Sequence, residues 1–227
     1  MKVLVFDTET TGLPKNMKDI PKPENLQDWP HIVQISFIVY NTDNARMTSL
    51  TDHIIRLPNG VQISDETAAI HGITNEISQL GFPVEIAINE FMEEFANADI
   101  IVAHNIEFDR KLILAELYRM KNNQLFNGAK VDEYINTVKT SAKYLCTMQE
   151  SIELCNIKAY TKVDKKMYTK WPTLSELYQH LFNYEPKNLH NSLNDVVVCL
   201  RCFYKIRFNK DICDENESIL QMITKLK

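Results

Sequence analysis

Val3-Leu4-Val5-Phe6-Asp7-Thr8-Glu9-Thr10-Thr11-Gly12-Leu13 stands near the head of the chain. Its apolar run over residues 3–6 reads as a buried strand that ends on two carboxylates two residues apart. Residues i and i+2 of a strand share one face, about 7 Å apart along the chain, so Asp7 and Glu9 point the same way. Three later features complete a set: Asn105-Ile106-Glu107-Phe108-Asp109, then His190, then Asp195 five positions on. Singly, an aspartate at a strand end is a turn residue and a histidine is a hydrogen-bonded surface group. Together, four carboxylates and one imidazole need only one pocket.

Working outward, residues 32–40 and 52–57 read as second and third strands, with Pro, Asn, Asp and Gly between them, which suits an antiparallel meander. Residues 14–30, with Pro21, Pro23 and Pro30, read as a surface excursion beside the first strand's end. Apolar spacing predicts a helix over residues 84–98, a short buried strand over 100–103, and a helix over 106–122. That places Asp109 in the first turns of a helix starting at a strand end, where open α/β sheets hold ligands. Residues 135–140 are expected to form a further strand and 141–157 a helix. Thr173-Leu174-Ser175-Glu176 has capping-box form and opens a helix to about residue 183. The last main helix starts near Ser192 and carries Val196, Val197, Leu200, Phe203 and Tyr204, which leaves His190 in the loop before it.

At 227 residues, 44% hydrophobic and 24% charged, the chain has the make-up of one globular domain. We expect that domain over residues 1–210, with a short tail, 211–227, packed on it. A net charge of -5 argues against coating nucleic acid by bulk electrostatics, but bound divalent cations invert the field of an acidic pocket. Five cysteines form no secretory framework, which fits a reducing compartment. Cys199 and Cys202 fall in an apolar helical run and read as buried helix residues rather than zinc ligands. The first apolar run ends at Asp7, too soon for a signal peptide, and no stretch approaches the ~20 apolar residues of a membrane helix. Cytoplasmic or nuclear residence is the expectation.

Asp7, Glu9, Asp109 and Asp195 would make an all-oxygen site suited to Mg²⁺ or Mn²⁺. Two such ions ~3.5–4 Å apart clamp the attacking and leaving oxygens of a phosphodiester displacement. A histidine such as His190 suits the removal of the attacking water's proton near neutral pH.

On these residues the chain resembles the DnaQ-like 3′–5′ exonucleases of the DEDD group, within the ribonuclease H-like fold. Phe6 to Leu13 matches the first motif, His104-Asn105-Ile106-Glu107-Phe108-Asp109 the second, and His190-Asn191-Ser192-Leu193-Asn194-Asp195 the third. Histidine five before the last aspartate marks the DEDDh subgroup; the sister subgroup has tyrosine four before it, where this chain has Asn191. The likeness runs from about Val3 to Tyr204 and includes Pro30-His31-Ile32-Val33-Gln34-Ile35 and His71-Gly72-Ile73-Thr74. It implies an α/β mixed sheet of three antiparallel strands plus parallel strands, flanked by helices. It also implies Asp7, Glu9, Asp109 and Asp195 as ligands of two Mg²⁺ or Mn²⁺ ions, and His190 as base. Thr10, Thr11 and Leu13 would line the pocket of the 3′-terminal nucleotide, His71 and Ile73 would flank its base, and Asn105 and Phe108 would border the cleft. Asn136 departs from relatives with aspartate in an Ile-Asp-Thr element.

Residues 158–171 read as a mobile loop in which five lysines alternate with Tyr160, Tyr168 and Trp171. It is either a solvated surface loop or a strand-gripping one, because lysines neutralise phosphates and aromatic rings stack on unpaired bases. The leading expectation is a metal-dependent 3′–5′ exonuclease that releases nucleoside 5′-monophosphates from single-stranded ends, DNA favoured. The rivals are an RNA-trimming exoribonuclease, a polymerase-associated proofreading subunit and a non-catalytic nucleic-acid binder. Expected partners are DNA or RNA 3′ ends, with a polymerase or a second copy of the chain left open and no membrane.

Overall fold

Alternation of side chains along the opening strand organises the whole molecule. The computed structural model describes residues 1–123 and 128–227. In it β1 (Lys2–Thr10) pairs antiparallel with β2 (Ile32–Asn41), which pairs antiparallel with β3 (Arg46–Ile54). On its other side β1 runs parallel to β4 (Ile100–Ala103), and β4 parallel to β5 (Tyr144–Cys146). The five-stranded order is β3-β2-β1-β4-β5, so β1 lies at the centre of a mixed α/β sheet of the expected kind, three antiparallel strands plus parallel ones.

Short helices α1 (Asp65–His71) and α2 (Asn75–Gln79) follow β3, and then α3 (Val84–Asn97), α4 (Ile106–Asn122) and α5 (Gly128–Thr140) cover one face of the sheet. One-turn helices α6 (Thr147–Glu150) and α7 (Ile152–Cys155) lead into a two-stranded hairpin, β6 (Lys158–Tyr160) and β7 (Met167–Thr169). Then α8 (Leu174–Phe182), α9 (Ser192–Phe208) and α10 (Glu217–Thr224) cover the other face. Leu4 and Phe6 pack with α3, α4 and α5, Phe6 lying 4.9 Å from Phe91 between ring centroids. Val3 and Val5 point the opposite way, into a core with α9 and α10. Each such residue contributes about 1.5–3 kcal/mol by leaving water. The same parity sends Asp7 and Glu9 to the α9 side and Thr8 to the α4 side.

Several expectations are corrected. β1 does not end at Phe6 but runs through Thr10, because β2 pairs with it as far as Ile32, so the acidic pair sits within the strand. The third strand covers Arg46–Ile54 rather than 52–57; its exposed edge tolerates polar residues and so carries a weak apolar signal. Residues 135–140 are not a strand: they end α5, whose Val131, Tyr134, Ile135 and Val138 are buried at helical spacing. Asn136 lies exposed on that helix, so its comparison with an Ile-Asp-Thr element fails. The helix expected over 141–157 is instead β5 with α6 and α7. Residues 158–171 are a paired hairpin, with Lys158 opposite Thr169, not an open loop.

The excursion of residues 14–30 is tied down from α4. Arg119 donates to the carbonyls of Leu26, Trp29 and Pro30, and pairs with buried Glu116 at 2.7 Å. Cys199 and Cys202 are buried on α9. Among the described residues no helix is long and apolar enough to cross a membrane.

Residues 211–227 fold back on α9 through a 3-10 turn (Ile212–Asp214) and α10, burying Ile212, Ile219, Ile223 and Leu226. Ile223→Ala should therefore cost about 2–4 kcal/mol in denaturant unfolding, within a single transition; a change under about 0.5 kcal/mol, or a separate early transition, would contradict this packing.

Candidate active site

Three carboxylates meet at the C-terminal end of β1. Asp7 and Glu9 from β1 and Asp195 from the first turn of α9 present oxygens that all lie within 4.8 Å of one another. Asp195 Oδ2 accepts the His190 backbone N–H at 3.1 Å, while its Oδ1 is buried with no hydrogen-bond partner among the described residues. Asp109 lies outside that 4.8 Å group, on the α4 side of the strand, close enough to act on Asp7 and Glu9 through its charge. It is buried, and its Oδ1 accepts both the backbone N–H of Thr8 (3.1 Å) and the Thr8 hydroxyl (2.8 Å).

Two backbone devices deliver these side chains. Between β4 and α4 the chain turns on Asn105, which adopts φ 68°, a left-handed conformation that asparagine tolerates well. Asp109 follows one turn later. At the other end, α9 is docked on β2 by polar contacts: the Ser192 N–H donates to Gln34 Oε1 (3.2 Å), and the Ser192 hydroxyl bonds to that of Ser36 (2.5 Å). Asp52 Oδ1 accepts from both Gln34 Nε2 (2.8 Å) and the Ser36 hydroxyl (2.7 Å). Asn191 caps α9 by accepting the Asn194 N–H. His190, exposed at φ 67°, stands beside the carboxylates with its ring free of hydrogen bonds among the described residues.

The electrostatics follow from crowding and burial. Burial is the main reason that the Asp7 carboxyl titrates far above the ordinary aspartate range, with Asp109, Asp195 and Glu9 adding to it. Burial, then Asp195 and Asp109, push Glu9 up to about 8. Burial raises Asp109 to about 7 against the opposing Thr8 hydrogen bonds, and raises Asp195 to about 7 against the His190 N–H. A cluster of oxygens that keeps protons near neutrality and leaves a buried oxygen unpartnered fits hard divalent cations.

A cleft of ≈ 460 Å³ opens over Asp7 and Asp195, with Asn105, Ser175 and His190 on its walls. His104 closes its floor. The Pro172 carbonyl can only accept, so His104 Nε2–H donates to it (3.0 Å) and Nδ1 accepts the Thr147 hydroxyl (3.0 Å). Burial drops His104 to about 4, which keeps it neutral.

The remaining predicted positions are spread more widely. Thr10 donates its hydroxyl to the Gly12 carbonyl at 2.6 Å, and Thr11 Oγ1 accepts the His31 N–H at 3.0 Å, so both shape the turn after β1. Leu13 is 76% exposed at that turn. His71 is buried; its Nδ1 accepts the Ile73 N–H, and burial lowers its pKa. Ile73 packs in a small cluster with Val33, Leu57 and Ile63. Phe108 is half-buried beside Asn105. Sequence reasoning assigned nothing to Thr8, Gln34, Ser36, Asp52, His104 or Ser192. Thr8, Gln34, His104 and Ser192 stood inside the matched stretches, and Gln34 and Ser36 interrupt an apolar strand, which were the available signals.

The chain matches the exonuclease family model (RNase_T) over residues 4–203. No curated protein matches it by sequence. Among solved structures it resembles a 3′-exonuclease in a structure of 3′-end specific recognition of histone mRNA stem-loop: 13% identity, TM-score 0.60, covering 91% of this chain and 63% of that one. It is similar to the nuclease domain of 3′hExo, a DEDDh family member, bound to rAMP, at 12% identity and TM-score 0.60, covering 93% and 94% of the two chains. It also resembles E. coli exonuclease I in complex with a dA16 oligonucleotide, at 14% identity and TM-score 0.54, covering 97% of this chain but 45% of that one. At such identities the likeness is one of fold.

Carboxyl groups that hold protons more tightly in the fold than in the unfolded chain, where they titrate near 4, support stability fully only below about pH 4 and lose that support as pH rises toward about 8. Divalent cations compete with those protons. Melting curves in chelator and in Mg²⁺ should show a Mg²⁺ stabilisation that is larger at about pH 8 than at about pH 5; equal effects at both, or none, would contradict the cluster's assignment.

Proposed function

Because the chain belongs to the exonuclease family, we propose that it removes nucleoside 5′-monophosphates one at a time from the 3′ ends of single-stranded nucleic acid, with DNA favoured. One observation carries the reading: Asp7, Glu9 and Asp195 gather carboxylate oxygens within 4.8 Å of one another at the end of the central strand, with His190 exposed on the same cleft.

Asp7, Glu9, Asp109 and Asp195 would hold the divalent cations, in our reading two of Mg²⁺ or Mn²⁺. When bound, these would neutralise charge on the scissile phosphate and ease deprotonation of the attacking water. Thr8 fixes the Asp109 carboxylate by taking one of its oxygens, which leaves a single orientation for the other. The Asp195 carboxylate is oriented in turn by the His190 N–H. His190 takes the proton as the water oxygen bonds to phosphorus and the P–O3′ bond breaks; the departing 3′ oxygen is protonated from solvent. Its ring makes no hydrogen bond among the described residues and can turn over the cleft. Thr10, Thr11, Leu13 and Asn105 would border the terminal nucleotide through its sugar and phosphate, a recognition indifferent to base identity. The apolar side of residues 211–227 is buried against α9 and so is not offered to a polymerase partner.

The test is a gel time course on 5′-labelled single-stranded DNA and RNA of one sequence, with Mg²⁺ or chelator. Shortening from the 3′ end only with Mg²⁺, faster on DNA, is expected; no shortening of either strand would overturn the exonuclease reading, and faster RNA shortening would replace DNA by RNA as substrate.

Asp7→Ala should abolish turnover, and near-normal rates with Mg²⁺ would remove Asp7 from the metal site. For the base, His190→Asn is the informative substitution, because asparagine accepts the left-handed backbone that alanine resists. It should lower kcat about 10²–10⁴-fold with metal affinity retained. An unaltered pH–rate profile in that variant would assign the proton transfer elsewhere.

A further inference from the structure

Beside the carboxylate cleft lies a second cavity of ≈ 320 Å³ walled by Pro14, Met17, Trp29, Phe108, Lys111 and Trp171. The two cavities meet at Asn105, which lines both. Trp171 is 55% exposed and lies two residues beyond β7, the return strand of the hairpin. It is followed directly by Pro172, whose carbonyl is held by His104, and by Thr173 on the wall of the carboxylate cleft. The hairpin is thus anchored to the frame of the reactive site. Opposite it, the wall formed by the 14–30 excursion is fixed by Arg119 and by Lys111, whose Nζ donates to the Met17 carbonyl at 2.9 Å.

Charge points to the occupant. The chain carries a net charge of -5, yet residues 158–171 hold five lysines against the single acid Asp164. Lys158 is bonded to Thr169, Lys166 is paired with Asp164, and Lys170 with Glu176. Lys162 and Lys165, at the exposed tip, have no ion pair among the described residues. A local basic arm on an acidic protein, joined through Trp171 to an aromatic-walled groove that shares Asn105 with the carboxylate cleft, fits a polyanion bearing flat apolar rings.

We propose that this groove seats the unpaired bases immediately upstream of the 3′-terminal nucleotide, stacked against Trp171 and Phe108, while Lys162 and Lys165 contact the strand's phosphates. The inference rests on the exonuclease reading of the adjoining cleft and extends it. The substrate is a strand several nucleotides long rather than a dinucleotide, and the hairpin supplies the length preference.

The experiment measures fluorescence-anisotropy affinities in Mg²⁺ for a thymidylate strand of about twenty nucleotides and for dithymidylate, both with hydrolysis-resistant phosphorothioate linkages. Wild type is compared with Trp171→Ala and with the double variant Lys162→Ala/Lys165→Ala, whose exposed side chains support no packing. Each variant should reduce the preference for the long strand about tenfold. The lysine variant should also flatten the dependence of log affinity on log salt by about one unit. An unchanged length preference, or an equal loss on both ligands, would overturn the groove. If wild type shows the length preference but leaves an unmodified strand uncut in Mg²⁺, the exonuclease reading fails while the groove is supported.

Discussion

Like charges resist being brought together, and the architecture around β1 is best understood as a frame that holds carboxylates where they repel. At an effective dielectric of 20, two unit charges about 5 Å apart repel by roughly 3 kcal/mol. Three of the four acids here lie within 4.8 Å of one another. The fold meets this in part by letting the groups keep protons, with Glu9 titrating at about 8 and Asp109 and Asp195 at about 7. Such a cluster is a poor structural element and a good divalent-cation site, which is why the metal-dependent reading is preferred to a structural one.

Rigidity comes from both faces of the sheet. Because β1 alternates, one strand sends Asp7 and Glu9 toward α9 and Thr8 toward α4, and each helix returns one aspartate to the same strand end. The α9 side is fixed by buried Gln34, Ser36 and Ser192, joined to the exposed Asp52 on β3; loss of one buried member leaves its buried partners unpaired, at about 1–3 kcal/mol each. On the α4 side Thr8 makes two bonds to one oxygen of Asp109. Left-handed turns at Asn105 and His190 set the starts of both helices without glycine.

The antiparallel meander and the strand–helix crossover that follows it were legible because the apolar segments, residues 3–6, 32–40 and 84–122, carry clean periods. So was the gathering of Asp7, Glu9 and Asp195, which followed from strand parity and from motif spacing. Illegible were the parts decided by distant partners. β5 is three residues long and exists because β4 pairs with it. Residues 135–140, rich in β-branched side chains, join α5 because the buried face begins at Val131, before the window in which they read as a strand. The lysine-rich segment pairs with itself through only a few residues, too few for an alternating pattern to show. The positioning residues Gln34 and Ser36 carry no chemistry of their own, so apart from the place of Gln34 in a matched stretch nothing but their polarity inside an apolar strand distinguished them.

The central claim is that the carboxylates of Asp7, Glu9, Asp109 and Asp195 constitute a divalent-cation site. Anomalous diffraction from crystals soaked in Mn²⁺ addresses it most directly. The account predicts manganese density bounded by Asp7, Glu9 and Asp195, at coordination distances of about 2.0–2.3 Å. Soaked crystals with no density among these oxygens, or with manganese bound only elsewhere, would contradict it.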